Sequence, residues 1–428
     1  MKVLHISAED NRPGAARAAY RLSQGLNQIG GVASEVLVQS KRSDNNTVHP
    51  TNMGGMGRII VESRKLLDKT PLVWYSKRPK SPFSTQWVPN IHLLRKIDEL
   101  QPDLINLHWV CDGFLQVESI SKLTRPLIWT LRDMWPFTGG CHYDQECKHY
   151  QDSCGRCPQL ASHKQFDLSH FVWQRKLRAW ENLDFTVVAL SSWIAQCAAS
   201  SSLFQNRRIE VIANGIDTEL YRPIDRQTAR RVLRLPSDPH LVLFGAVQAT
   251  SNRRKGFHLL LSALHDLSKS CWSEKLELVV FGASAPQNTE KFDFGFKTHY
   301  LGKLQDELSL VLAYSAANVL VAPSMQENLA NTVLEAIACG TPSIAFKVGG
   351  MPDLITHEQD GYLATPFESS DLAQGIRWIL ENKERYNKLA DNARRKVEQQ
   401  FTVNTQVNRY KLLYQELLRT NGNVDKDI

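Results

Sequence analysis

Glu327 and Glu335 are two carboxylates whose spacing suits the binding of a ligand rich in hydroxyl groups. They bracket the segment Glu327-Asn328-Leu329-Ala330-Asn331-Thr332-Val333-Leu334-Glu335, which crosses an expected junction between a loop and a helix. Carboxylates accept hydrogen bonds from the vicinal hydroxyls of a sugar or a ribose. A helix that starts near Asn331 would offer free N–H groups and a positive dipole end to a diphosphate. Spacing alone leaves open that the two glutamates are incidental.

Other motifs surround this pair in a fixed order. The pair is followed by Ala336-Ile337-Ala338-Cys339-Gly340-Thr341-Pro342 and by Gly349-Gly350, and it is preceded by Arg253-Arg254-Lys255-Gly256-Phe257. Earlier in the chain lie Pro13-Gly14-Ala15-Ala16-Arg17 and Asn214-Gly215-Ile216-Asp217. Together the motifs resemble the retaining GT-B glycosyltransferases of family 4 over nearly the whole chain. The segment from Cys141 to Cys157, rich in His, Tyr and Gly, resembles their bacterial exopolysaccharide and envelope polysaccharide subgroup.

The resemblance implies a site for a nucleotide-sugar donor in the second half of the chain. Arg254 and Lys255 would neutralise the donor diphosphate, with Arg253 as the alternative to Arg254. A merely solvated basic turn is the other interpretation. Glu335 would hold the ribose and Glu327 the transferred hexose. The remaining residues implied to lie along the donor are Gly14, Leu301, Gly302, Asn328, Leu329, Ala330 and Asn331.

Two positions depart from the family pattern. After the apolar run Leu127 to Leu131 stand Arg132 and Asp133, where family 4 usually has His and then Asp. Either Arg132 takes over the contact with the donor sugar, or the role passes to His108. Ala330 replaces a common Gly and adds a methyl group beside the sugar, which would narrow the choice of donor.

The implied reaction retains the anomeric configuration without an essential metal or other required cofactor. The departing phosphate itself would take the acceptor proton, while Arg254, Lys255 and the helix N-terminus stabilise its charge. The favoured donor is UDP-glucose or a related UDP-hexose, with a GDP-hexose as the alternative. The acceptor would be a glycan or a lipid-linked oligosaccharide. The competing functions are a nucleotide-sugar binding protein with a degenerate site and a GT-B epimerase or phosphorylase.

Four cysteines form a second cluster of reactive residue types. Cys141, Cys147, Cys154 and Cys157 lie within one short segment. Four thiols can bind structural zinc tetrahedrally, although only the last pair has the tight Cys-x2-Cys spacing. Disulfides and free thiols remain alternatives. Zinc at this position would hold a loop together and take no part in the reaction.

A third candidate is the basic amphipathic stretch from Arg58 to Lys80. It alternates apolar and basic side chains and could rest on an anionic membrane, receive a lipid diphosphate, or form a helix packed on its own domain. The net charge of +7 comes entirely from residues 1–210, which suggests an anionic partner for the first half or simply a basic surface. Nucleic acid is not an expected partner.

The elements that must position these residues form two series of alternating strands and helices. The first series has a helix at Ala15 to Gly30 and strands at Val3 to Ser7, Ser34 to Ser40, Leu104 to Leu107, Leu127 to Leu131 and Thr186 to Leu190. The second series has strands at Glu210 to Ile212, Leu241 to Phe244, Leu276 to Phe281, Thr298 to Tyr300, Val319 to Ala322 and Ser343 to Phe346. Its helices are expected at Leu259 to Ser268, Leu308 to Ser315, Asn331 to Cys339 and Asp371 to Asn382. Such alternation predicts parallel sheets whose ligands bind beyond the C-terminal strand ends.

The predicted fold class is therefore α/β, with two Rossmann-like, doubly wound parallel-sheet domains of the GT-B type that face a central cleft. The expected acceptor domain spans residues 1–208, and the expected donor domain spans residues 209–402. A C-terminal helix at residues 403–420 should cross back to the first domain.

Bulk composition agrees with a soluble two-domain enzyme. A chain of 428 residues with 42% hydrophobic and 22% charged residues is too long for one ordinary core and too apolar for a disordered protein. No apolar run approaches the roughly 18 residues of a membrane span, and the N-terminus does not resemble a signal peptide. The expected location is cytoplasmic, with contact at the inner face of the membrane.

Overall fold

A computed structural model of the protein contains two compact units, and each is built on a parallel sheet. The structure describes residues 1–10, 14–51, 54–245, 252–282, 295–304 and 306–424. The first unit is Met1–Ala213 together with Gln406–Ile428, and the second is Asn214–Thr405.

The first unit has a seven-stranded sheet with the strand order β3-β2-β1-β4-β5-β6-β7. Its strands are β1 (Lys2–Glu9), β2 (Ala33–Ser40), β3 (Val48–Pro50), β4 (Leu104–Leu107), β5 (Leu127–Leu131), β6 (Thr186–Ala189) and β7 (Ile209–Val211). Its helices are α1 (Ala15–Gln28), α2 (Gly54–Lys69), α3 (Ile91–Leu100), α4 (Val117–Ile120), α5 (Leu168–Trp180) and α6 (Ser192–Ala199). The inner strands are mostly apolar and fully buried, as expected for a parallel sheet covered on both faces.

The second unit has a six-stranded sheet with the order β10-β9-β8-β11-β12-β13. Its strands are β8 (His240–Gly245), β9 (Leu276–Phe281), β10 (Thr298–Gly302), β11 (Val319–Ala322), β12 (Ser343–Phe346) and β13 (Gly361–Ala364). Its helices are α7 (Arg226–Leu233), α8 (Phe257–Ser268), α9 (Glu307–Ala316), α10 (Asn331–Ala338), α11 (Met351–Leu354), α12 (Ser369–Leu380) and α13 (Lys383–Gln400). The strand order reverses between β8 and β11, which makes the C-terminal ends of these two strands the expected ligand position.

The last helix, α14 (Val403–Val424), belongs to the first unit from Gln406 onward. Its Tyr410 and Tyr414 are fully buried. The Tyr414 hydroxyl accepts a hydrogen bond from Asn106 Nδ2 at 2.8 Å, and the Tyr410 hydroxyl lies 3.0 Å from Thr130 Oγ1. The amphipathic C-terminal stretch therefore returns to the first unit, as its sequence predicts.

The expectation that a strand at Glu210 to Ile212 opens the second domain is wrong. Strand β7 pairs in parallel with β6 in the first sheet, where Ile209 lies opposite Val187. The unit boundary accordingly falls after Ala213 and not after residue 208. A short, half-buried edge strand carries no sequence signal for the sheet that it joins.

The basic stretch from Arg58 to Lys80 folds as most of α2 followed by a 3-10 helix at Thr70–Trp74. One side of α2 is buried, through Val61, Arg64 and Asp68. Within the part of the chain that the structure describes, no helix combines the length and the hydropathy of a membrane span.

Candidate active site

A cluster of two cations and one carboxylate occupies the reversal point of the second sheet. Arg254 and Lys255 follow β8 in the chain, and Glu327 follows β11. Arg254 Nη1 lies 3.1 Å from Glu327 Oε2, and Lys255 Nζ lies 2.5 Å from the same oxygen. The structure thus brings together the three residues to which the family resemblance assigns the diphosphate and the hexose.

The charges of this cluster control its protonation. Burial alone would raise the pKa of Glu327, but the positive charges of Lys255 and Arg254 outweigh burial and lower that pKa to about 2. Burial and the charge of Arg254 lower the pKa of Lys255, while Glu327 opposes that shift. Glu327 is therefore a carboxylate at neutral pH, able to accept hydrogen bonds but not to donate a proton.

The backbone around the two cations leaves no room for side chains at two glycines. Gly256 has a φ of +71°, and a Cβ there would stand 1.7 Å from the carbonyl oxygen of Pro323. Gly349 has a φ of +55°, and its Cβ would stand 2.0 Å from the carbonyl oxygen of Glu327. Met325 N also donates to the carbonyl of Arg254 at 2.8 Å. These close approaches fix the loop after β11 against the turn after β8, through Gly256 and Met325, and against the segment after β12, through Gly349.

The N-terminus of α10 begins four residues after Glu327. Asn331 is its first residue, and the capping residue Ala330 has no side-chain oxygen to satisfy the helix N–H groups. The preceding Asn328, Leu329 and Ala330 are buried. This uncapped helix end, beside the two cations, suits the binding of an anion.

The junction residue Asn214 contacts the same helix end. Its Nδ2 donates to Asn331 Oδ1 at 3.1 Å. The motif that begins at Asn214 therefore orients the first side chain of α10, a role that the spacing of the motifs did not indicate.

Glu335 lies on α10 and is bound by a residue that the sequence did not single out. Tyr314, on α9, donates a hydrogen bond from its hydroxyl to Glu335 Oε2 at 2.8 Å. Burial, the charge of Glu335 and this hydrogen bond raise the pKa of Tyr314, which keeps the phenol protonated. No periodicity in the sequence connects these two residues.

The remaining candidates of the second unit stand at its sheet edge and in the basic turn. Leu301 and Gly302 form the C-terminal end of β10, two strands away from β8. Arg253 is exposed, whereas Arg254 contacts Glu327. Of the two arginines considered for the diphosphate, Arg254 is the one that the structure joins to the cluster.

In the first unit Arg132 and His108 belong to one hydrogen-bonded chain. Arg132 Nη2 lies 3.1 Å from His108 Nδ1, and His108 Nε2 lies 2.8 Å from Nδ1 of His5 on β1. The side chains that the sequence offered as alternatives are thus in direct contact. His5 was not among the predicted site residues, although a histidine inside an apolar strand is recognisable in the sequence.

The direction of this chain follows from the chemistry of arginine. Arg132 can only donate, so His108 Nδ1 accepts, His108 Nε2 carries the proton, and His5 Nδ1 accepts it. Burial, followed by the charge of Arg132, lowers the pKa of His5 to about 3 and that of His108 well below its ordinary value. Burial lowers the pKa of Arg132 to about 10, which leaves it charged at neutral pH.

Asp133, the neighbour of Arg132, is held by the cysteine-containing segment. His142 Nδ1 lies 2.6 Å from Asp133 Oδ2, and His142 Nε2 lies 3.0 Å from Ser84 Oγ. Trp109 Nε1 also donates to Asp133 Oδ2, at 3.0 Å. Asp133, His142 and Ser84 are all buried, so this chain fixes the loop after β5.

Cys141, Cys147, Cys154 and Cys157 line one small cavity. None of the eight cysteines is in a disulfide, so the disulfide alternative is not what the structure contains. Across the described residues, no group of three or more His, Cys, Asp and Glu side chains is arranged to hold a metal ion. The zinc hypothesis stays a prediction.

Gly14, the remaining candidate of the first unit, precedes α1. Its φ of +93° is one that residues with a side chain rarely adopt, and a Cβ there would meet no other atom within 4 Å. The neighbouring Pro13, part of the same sequence motif, lies outside the described residues.

Two family models match the chain, one in each half. The model described as Glycosyltransferase Family 4 matches residues 13–220, and the model described as Glycosyl transferases group 1 matches residues 225–396. The match with family 4 ends near the boundary between the two units.

Characterised relatives share part of the sequence. N-acetyl-alpha-D-glucosaminyl L-malate synthase of Bacillus anthracis is 34% identical over 29% of this chain and 32% of its own length. D-inositol 3-phosphate glycosyltransferase of Corynebacterium aurimucosum is 26% identical over 60% of this chain and 61% of its own length. The chain therefore spans from about a third to three fifths of the length of these relatives.

Solved structures match nearly the whole chain. Sucrose-phosphate synthase from Thermosynechococcus elongatus has a TM-score of 0.70 at 19% identity, covering 98% of this chain and 99% of its own. Anabaena HepE, solved in complex with UDP and glucose, has a TM-score of 0.64 at 18% identity, covering 97% and 100%. At these identities the likeness establishes a common fold.

Proposed function

Because this chain belongs to the GT-B glycosyltransferases, we propose that it moves a hexose from a nucleoside diphosphate sugar to a glycan or lipid-linked acceptor, with retention of anomeric configuration. The observation that carries the proposal is the contact of Arg254 and Lys255 with Glu327 beside the start of α10. A diphosphate needs cations and free N–H groups, and a hexose needs a hydroxyl acceptor; this cluster offers both.

The donor diphosphate would bind against Arg254, Lys255 and the first turn of α10. The two cations stand close to one carboxylate, so the cluster carries a net positive charge before the donor arrives. Glu327 keeps the cations in place and accepts hydrogen bonds from the hexose hydroxyls. Glu335, oriented by Tyr314, accepts hydrogen bonds from the ribose.

In the transfer step, the bond between the anomeric carbon and the diphosphate oxygen breaks, and a bond to the acceptor oxygen forms on the same face. The proton of the acceptor hydroxyl passes to the departing phosphate, so no side chain has to act as a base. Arg254, Lys255 and the helix N-terminus stabilise the charge that develops on the phosphate. The transfer requires donor and acceptor to be held together in reacting geometry.

UDP-glucose or a related UDP-hexose is the donor to test first, as the HepE complex contains UDP and glucose. The setting we propose is assembly of exopolysaccharide or envelope glycan on the cytoplasmic side of the membrane. No cofactor beyond the donor is proposed.

A thermal-shift panel of UDP, GDP, ADP and their hexose conjugates tests the donor. A ligand present at about 100 times its dissociation constant stabilises the fold by roughly 2.7 kcal/mol. We expect UDP and UDP-glucose to raise the melting temperature of the wild type and to lose most of that effect in Glu335→Gln. If none of the nucleotides raised the melting temperature, the proposal would be contradicted. Donor binding without transfer to any acceptor would instead indicate a binding protein with a degenerate site.

A further inference from the structure

Helix α2 presents charged residues to the protein and apolar residues to the solvent. Its inner side carries Arg64 and Asp68, which are 9% and 3% exposed. Arg64 donates to the carbonyl of Gly113, and Asp68 accepts from Thr85. On the outer side Ile59 is 68% exposed. Apart from the buried Val61, this distribution is the reverse of that in an ordinary surface helix.

The outward apolar side chains of α2 form one continuous stripe. At 100° per residue, Leu66, Ile59, Leu67 and Ile60 fall within an arc of about 120°. Leu66 is 70% exposed, and Leu67 and Ile60 are 45% and 37% exposed. Ile59 and Leu66 leave about two thirds of their surface in water, and a continuous exposed apolar stripe of this kind marks an interaction surface.

The stripe continues into the 3-10 helix that follows. Val73 is 77% exposed and Trp74 is 89% exposed. Trp74, with Tyr75, Trp87 and Phe171, lines a groove of about 400 Å³. The groove is fixed in place by two hydrogen bonds, from Trp87 Nε1 to the carbonyl of Leu67 at 3.0 Å and from Leu168 N to the Tyr75 hydroxyl at 2.9 Å.

Most of the charged side chains in the stretch that carries this apolar surface are cations. Between positions 58 and 80, exposed or half-buried charges are positive with the exception of Glu62, which pairs with Lys65 at 3.0 Å. The cations are Arg58, Lys65, Lys69, Lys77, Arg78 and Lys80. Lys69, Lys65 and Arg58 lie along one flank of the helical stripe.

We propose that this surface, formed by the outer side of α2, the 3-10 helix Thr70–Trp74 and the groove beside Phe171, binds an anionic lipid bilayer. The apolar and aromatic side chains would enter the region between headgroups and acyl chains, and the cations would contact lipid phosphates. The exposed cations of this stretch favour a negatively charged bilayer over an apolar protein surface as the binding partner. The inference goes beyond the proposed transfer reaction, since it requires neither donor nor acceptor.

Flotation of the full chain with lipid vesicles tests the inference. One vesicle population is an equal mixture of phosphatidylglycerol and phosphatidylcholine, and the other is phosphatidylcholine alone. We expect binding to the anionic vesicles that weakens as salt is added. Trp74→Ser should lower the partition coefficient roughly tenfold, because it removes a large inserted side chain. The triple variant Lys69→Gln, Lys77→Gln, Lys80→Gln should lower it about 100-fold.

Matched variants elsewhere on the chain serve as controls. Leu412→Ser alters a residue of α14 that is 67% exposed, and Lys383→Gln with Lys388→Gln and Arg395→Gln removes three exposed cations from α13. Both controls should bind vesicles as the wild type does, and the UDP thermal shift should be the same in all four variants.

Equal binding of wild type and Trp74→Ser would overturn the inference. Failure of the wild type to bind the anionic vesicles would also overturn it. The same holds if sedimentation shows a dimer of the wild type that the substitution Trp74→Ser dissociates. If UDP did not raise the melting temperature of the wild type, that result would count against the proposed transfer reaction and not against membrane binding.

Discussion

The Tyr314 hydroxyl donates to Glu335 Oε2 across 2.8 Å, from the C-terminal part of α9 to the middle of α10. Tyr314 is 0% exposed and Glu335 is 5% exposed. A buried carboxylate is costly unless it is hydrogen-bonded, so this contact both stabilises Glu335 and fixes the direction of its oxygens. A ribose that binds Glu335 would meet a carboxylate already oriented.

Tyr314→Phe should therefore weaken donor binding. Removing one partner of a buried hydrogen bond to a charged group costs about 1 to 3 kcal/mol, so we expect at least a fivefold rise in the dissociation constant of UDP, measured by calorimetry. Tyr20→Phe is the control, because the Tyr20 hydroxyl accepts a hydrogen bond from Asn45 Nδ2 in the other unit. Unchanged UDP affinity in Tyr314→Phe would argue that Glu335 does not hold the ribose.

The family resemblance predicts that Arg254, Lys255 and Glu327 share one site, and the fold gives a simple physical reason why they meet. Arg254, Lys255 and Glu327 each follow an apolar strand, and parallel strands place their C-terminal ends at one edge of the sheet. Residues far apart in sequence therefore meet when each is tied to the end of a strand. Most strands were found for the same reason, since buried parallel strands are short continuous apolar runs between polar segments.

The features that the sequence did not reveal depend on contacts between elements. Tyr314 contacts Glu335 because α9 packs beside α10. The sequence of neither helix indicates which helix will pack against it. His142 reaches Asp133 across a loop of eight residues in which Gly140 has a φ of +121°, and no side-chain pattern predicts this path. Strand β7 joins the first sheet through backbone hydrogen bonds, which no side-chain pattern records.

Acid should test the pairing of Glu327 with its two cations. The folded-state pKa of Glu327 is about 2 against an ordinary 4.5, so its stabilising contribution is complete above pH 4.5 and is lost as the pH falls towards 2. The difference corresponds to about 3 kcal/mol. Between these pH values the wild type should lose more unfolding free energy in urea titrations than Glu327→Gln does. Parallel pH profiles for the two proteins would refute the pairing.

The buried histidine pair makes a prediction for NMR spectroscopy. Nitrogen-15 shifts should show His5 and His108 neutral and protonated on Nε2 at pH 7. Since burial and Arg132 lower the pKa of His5 to about 3, stability from this group is complete above about pH 6.5 and is lost as the pH falls towards 3. In Arg132→Met both pKa values should rise. An Nδ1-protonated His108 would reverse the order of the hydrogen-bonded chain.

Metal analysis decides the zinc hypothesis for the four cysteines. It predicts one zinc ion per chain in protein purified without chelators, and loss of that ion in Cys154→Ser, because tetrahedral structural sites need all four ligands. Cys271→Ser, at an exposed cysteine, should retain the metal. The melting temperature should fall when a chelator removes the zinc. A metal-free native protein with four thiols reactive towards alkylating agents would rule zinc out.

Gly349 should be essential for the position of Glu327. An alanine Cβ there would stand 2.0 Å from the Glu327 carbonyl oxygen, so Gly349→Ala must displace the backbone of the residue that we assign to the hexose. Gly30→Ala is the matched control, since Gly30 has a φ of +71° and nothing within 4 Å of its Cβ. The control should lose only about 1 kcal/mol of stability from backbone strain. Gly349→Ala should in addition reduce kcat by on the order of 100-fold, the scale on which small displacements of reacting groups act. Equal kcat values for the two variants would show that the position of the loop after β11 does not affect the transfer reaction.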